Sequence, residues 1–66
     1  MNRFIVKYDI KHTERSSLLS GVLMPEQCKF VNLQDAIKFV RAMRGHRTPK
    51  YEVVGMPVIE RLSNYN

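Results

Sequence analysis

Five cations share one stretch of this chain with no acid between them. Lys38, Arg41, Arg44, Arg47 and Lys50 stand between Ala36 and Tyr51, a segment without Asp or Glu. The remaining residues carry six basic and six acidic side chains, so the formal charge of +5 resides in this segment. Grouped like charges raise the local potential and attract anions, an attraction that salt screens over about 8–10 Å. The chemistry on offer is binding to an acidic macromolecular surface, either protein carboxylates or nucleic-acid phosphates. Arg41 and Arg44 also suit the negative end of a helix dipole, which is a purely structural explanation. It does not reach Arg47 and Lys50, which lie beyond the helix.

Other chemistry is poorly supplied. Asp9, Glu14, Glu26, Asp35, Glu52 and Glu60 form no close pair of the kind general acid–base work needs. His12 and His46 fall in expected loops at opposite ends of the chain, without a partner in sight. Cys28, beside Lys29, reads as a small half-buried hydrophobe in preference to a nucleophile. One Cys and two His fall short of the four ligands of a structural zinc site, and a single Cys forms no internal disulfide. Gly21, Gly45 and Gly55 are scattered, so no phosphate-cradling loop exists. These residues predict a protein that is not an enzyme, with no cofactor and no metal.

The elements that must position the cations follow from periodicity. Phe4, Val6, Tyr8 and Ile10 alternate with Arg3, Lys7, Asp9 and Lys11, which predicts a half-buried strand with Ile5 as its apolar exception. His12 to Ser16 reads as a turn. Ser17 to Met24 is a second apolar run that Pro25 ends, predicting a strand followed by a loop over Pro25 to Lys29. Within it Gly21 suggests a bulge or a close backbone approach. Asn32 is an N-cap with Asp35 three residues on, and Leu33, Ala36, Ile37, Val40 and Met43 form a helical stripe with Phe39 at its margin. Gly45 stands where a left-handed C-cap belongs. Tyr51 to Leu62 is a third strand whose alternation slips at Gly55 and Pro57, predicting a bulge or a sheet edge. Ser63 to Asn66 reads as a polar tail.

The expected fold is therefore α+β, a three-stranded antiparallel sheet in the order β-β-α-β with the helix on one face. Phe4, Val6, Tyr8 and Ile10 should meet Leu33, Ile37, Val40 and Met43. The other face should stay open, with Ile5, Leu19 and Leu23 as apolar candidates for an interface. Tyr8, Phe30, Phe39 and Tyr51 have rings able to stack on bases but fit core or rim positions. No helix-turn-helix, zinc-finger or RNA-recognition signature is present.

The helix opening Asn32-Leu33-Gln34-Asp35-Ala36-Ile37 and the closing strand Tyr51-Glu52-Val53-Val54 resemble small phage-encoded inhibitors of host enzymes, of the type that acts on host RNA polymerase. The likeness covers about half the chain. It implies a compact, non-catalytic protein that acts by docking, and it assigns a role to no residue. The basic segment departs from that family's charge balance.

Sixty-six residues, 44% hydrophobic and 26% charged, make one small globular domain spanning 1–66. No run of about 18 apolar residues and no signal-peptide core appear, so a cytoplasmic protein without a membrane partner is expected. The leading expectation is an inhibitor or adaptor, a monomer or weak homodimer, docking on a host protein through Lys38, Arg41, Arg44, Arg47 and Lys50. The alternative is a nucleic-acid-binding domain placing the same residues on phosphates.

Overall fold

The computed structural model describes residues 2–15 and 18–62, so the expectations for Ser16, Ser17 and Ser63 to Asn66 lie outside it. The order is β1 (Phe4–His12), β2 (Leu23–Phe30), α1 (Leu33–Met43) and β3 (Tyr51–Arg61). The strands form one antiparallel sheet, β2-β1-β3, with β1 in the middle. This is the α+β, β-β-α-β arrangement that the residue pattern predicts.

The second strand lies further along the chain than its apolar run suggests. It contains Pro25, which was expected to end it, and the stretch before Leu23 is a turn. The reason is donor accounting. His12 donates its N–H to the Val22 carbonyl at 3.2 Å, which points even-numbered residues of β1 towards β2 and leaves odd-numbered residues of β2 facing outward. Pro25 therefore lacks an N–H only where none is needed, on the outer edge. Before it, the Val22 N–H meets the Leu19 carbonyl at 2.9 Å, closing a β-turn. Gly21 occupies its third position at φ 84°, a conformation that costs other residues about 1–2 kcal/mol.

The helix begins and ends as its residues dictate. The Asn32 side chain accepts the Asp35 N–H at 2.9 Å and donates to the Asp35 carboxylate at 3.1 Å. At the other end Arg44 is the C-cap, and Gly45 follows at φ 67° in the left-handed region.

The core is thin. Val6 and Ala36 are fully buried, Val53 and Pro57 nearly so, and Ile37, Val40 and Met43 are half-buried. Two details differ from the expected stripe. Leu33, in the first turn, is 45% exposed, and Phe39 is no marginal residue. Its ring packs on Tyr8 and Phe30, with centroids 5.6 and 5.1 Å apart. On the face without the helix Ile5 is only 5% exposed, so it is part of the packing and not of an open interface. In β3 the register shifts between Lys7 and Asp9, where Gly55-Met56-Pro57 stand opposite Tyr8. The strand is thus both bulged and at an edge. Two extra residues preserve parity, which keeps Val53 and Ile59 on the helix side.

Candidate functional site

The second half of the helix and the hairpin that follows it position four of the five cations, and Lys38 stands at the middle of the helix. Lys38 and Arg41 are exposed on the outer side of α1, and Arg44 caps it by donating its N–H to the Val40 carbonyl at 2.9 Å. Past Gly45 the chain doubles back on itself. The Val53 N–H reaches the His46 carbonyl at 2.8 Å, and the Thr48 N–H reaches that of Tyr51 at 2.7 Å. The Thr48 hydroxyl accepts the N–H groups of Lys50 and Tyr51 at 3.2 and 3.1 Å. This tight turn fixes Arg47 on one limb and Lys50 at the tip, while the rings of His46 and Tyr51 sit 6.0 Å apart beside it.

Tertiary bonds tie the turn to the sheet. The Lys50 carbonyl accepts the Thr13 N–H at 2.9 Å, just beyond the end of β1. Arg44, Arg47 and Lys50 therefore belong to one end of the molecule, and Arg41 leads up to them one helical turn away, about 5 Å. Lys38 stands a further turn back along the helix.

One of the five is partly neutralised. Arg47 forms an ion pair with Glu52 at 3.0 Å, its own side chain 77% exposed and that of Glu52 26%. An exposed pair contributes about 0–1 kcal/mol, so it orients Arg47 more than it stabilises the fold. No ion pair engages Lys38, Arg41, Arg44 or Lys50 among the described residues. The charge available to a partner is thus concentrated in those four, with Arg47 shared.

The other candidate chemistries are dispersed. Asp35 is held by its cap, Glu52 by Arg47, and Glu60 by Lys7 at 3.0 Å. Burial and the neighbouring Glu26 push the Tyr8 phenol above its ordinary value of 10.0, with smaller contributions from Cys28 and Tyr51. His12 meets the Met24 sulfur at 3.2 Å, and no ion pair among the described residues engages it. Among the described residues no three His, Cys, Asp or Glu side chains gather into a metal-binding group. A shallow concavity of about 650 Å³ lies on the face without the helix, between Lys7, Asp9, Pro25, Gln27, Val58 and Glu60. Two of its charges, Lys7 and Glu60, already satisfy each other. No described helix is long and apolar enough to cross a membrane.

Periodicity missed one surface. The apolar run predicts a strand through Leu18 and Leu19, whereas they stand exposed in the turn before β2. The available signal was the Leu-Leu-Ser-Gly order, a turn dipeptide directly after two leucines. Comparison of the chain with protein-family models, curated proteins and solved structures returns no match.

Proposed function

We propose that this chain is a small non-enzymatic binding protein, a cytoplasmic inhibitor or adaptor of phage or mobile-element type. It docks as a monomer or weak homodimer on an acidic surface of a host protein through Lys38, Arg41, Arg44, Arg47 and Lys50. The observation that supports this most is the exposure of these cations from the middle of α1 through its C-terminal end to the following turn, four of them without an ion pair among the described residues. The phage assignment rests on the resemblance of the helix opening and the closing strand.

The same cations suit phosphates, and the aromatic rings favour protein over nucleic acid as the partner. Tyr8 and Phe30 both pack on Phe39, and Tyr51 faces His46, so four of the described rings are engaged within the fold and none of these four stands as an open stacking platform. Capture from a bacterial lysate, with and without nuclease, tests the reading. The bound protein should survive nuclease and weaken at least ten-fold, about 1.4 kcal/mol, with Arg41→Glu and Arg44→Glu combined. Arg47→Glu is the poorer probe, because it breaks the Glu52 pair and places two carboxylates together. A 20-base-pair duplex bound with a salt slope near one log unit per phosphate would overturn it in favour of nucleic acid.

A further inference from the structure

The β1–β2 turn and the first residue of β2 carry four exposed apolar side chains. Leu18 is 101% exposed, and Leu19, Val22 and Leu23 are 45, 42 and 58% exposed. A turn closed by the Leu19–Val22 backbone bond and by Gly21 asks nothing apolar of its neighbours. Contiguous exposed apolar residues on a small domain mark a contact surface.

This turn and the basic turn share one end of the molecule. His12 bonds Val22, Thr13 bonds Lys50, and Lys11 has Leu23 on one side and Glu52 on the other. Lys11 and Arg15 adjoin the leucines on the chain that enters the turn, Lys50 lies one strand further across, and Arg47 stands beyond Glu52 on the outer limb, with Glu14 and Glu52 as the acids among them.

We infer that this tip is the apolar centre of the docking surface, and that it inserts into an apolar pocket rimmed by Asp or Glu on a partner protein. The inference rests on the function proposed above. Exposed leucines on a turn are covered most completely by a concave apolar surface. The rim has a cationic excess but includes two acids, which suits discrete carboxylates in place of the uniform phosphate layer of a bilayer or duplex. Leucines at the centre supply the contact energy and the rim cations supply encounter rate and orientation.

The test places a benzoylphenylalanine photo-cross-linker at exposed Ser20 of the full chain, in a nuclease-treated bacterial lysate. The cross-linked protein is identified, purified and titrated with the parent and two double variants. Leu18→Ser with Leu19→Ser should bind it on the order of 100-fold more weakly, the loss of two buried leucines, with an unchanged circular dichroism spectrum. The cross-linked peptide should line an apolar cavity flanked by Asp or Glu. Binding by the serine variant within three-fold of the parent would overturn the inference. Cross-linking to a second copy of this chain, or to no protein, would overturn it too. So would co-sedimentation with vesicles of 30% phosphatidylglycerol in phosphatidylcholine that the leucines govern. Arg41→Glu with Arg44→Glu separates the two readings. Loss in that variant alone refutes the tip and spares the basic site, and loss in the serine variant alone does the reverse.

Discussion

Ile5→Ala separates two views of the sheet face that has no helix on it. Ile5 and Val6 are consecutive in β1, so their side chains leave the sheet on opposite faces. Both are nevertheless buried, at 5% and 0% exposure. Val6 lies on the helix side. Ile5 has Lys29 and Glu60 in register beside it, and Glu60 is drawn towards Lys7 by their 3.0 Å ion pair. The methylene stems of these long side chains, with Val58 and Leu62 diagonally placed on the same face, are the register neighbours that can cover it. Truncation to alanine removes about three methylene equivalents at about 0.8 kcal/mol each, or roughly 2.4 kcal/mol. The cavity cost should be small, because surface stems can collapse into the space. Val6→Ala loses less transfer energy but leaves a cavity that packed neighbours cannot fill, for a total of about 2–3 kcal/mol. A chain of this length has a total stability of about 3–10 kcal/mol, so either change is a large share of it. Urea unfolding followed by circular dichroism, with a slope of about 1 kcal/mol per molar, should show each midpoint falling by about 2 M. An Ile5→Ala midpoint within about 0.5 M of the parent, beside a full loss for Val6→Ala, would refute the two-sided packing.

Asn32→Ala should cost about 1 kcal/mol in the same assay, because it leaves the Asp35 N–H without its 2.9 Å acceptor. Ala36→Asp should abolish the folded dichroism spectrum, since it buries an unpaired carboxylate at a position with 0% exposure; a native spectrum at pH 7 would disprove that packing. The raised Tyr8 phenol adds stability that is complete below pH 10 and is lost as pH climbs from there through its folded value. Urea midpoints at pH 9 and 11 should therefore fall more for the parent than for Tyr8→Phe, and equal falls would show that the phenol contributes nothing.

The helix and the first strand were legible because each has one clear period and, for the helix, local caps. Asn32, Asp35 and Gly45 act through bonds within a few residues, so their roles do not depend on the rest of the chain. The second strand was not legible from its own residues. Leu18 to Met24 has no clean alternation, and its register is set by pairing with β1, which a local pattern does not contain. Pro25 reads as a terminator until the neighbouring strand shows which side its missing donor faces. A helical wheel puts Phe39 at a margin because it contains nothing of Phe30 and Tyr8 across the gap. For the candidate site, the grouping of cations was visible in the chain, but the Glu52 pairing of Arg47 was not, because Glu52 lies five residues away on the returning limb. The leucine tip was hidden by the same misassignment that displaced β2.

Both edges of the sheet are defended by the same device, and this directs contacts to the end of the molecule. Odd-numbered residues of β2 point their backbone groups outward, and Pro25 leaves a gap in that row. On β3, Val58 faces Lys7, so the backbone nitrogen of neighbouring Pro57 is directed to the outer edge while its ring is buried, and it supplies no donor there either. The first part of that edge is further occupied by residues 46–48, through the Val53–His46 and Thr48–Tyr51 bonds. A strand from another molecule meets a missing donor on either side, which opposes edge pairing. Replacing Pro25 and Pro57 together by threonine restores both donors and favours strand geometry. Sedimentation velocity should then show concentration-dependent association in the double variant, while the parent stays a monomer or weak dimer. A parent that sediments as a tight oligomer, or a double variant no more associated than the parent, would mean that the prolines serve the bends of their own strands and not the protection of the edges.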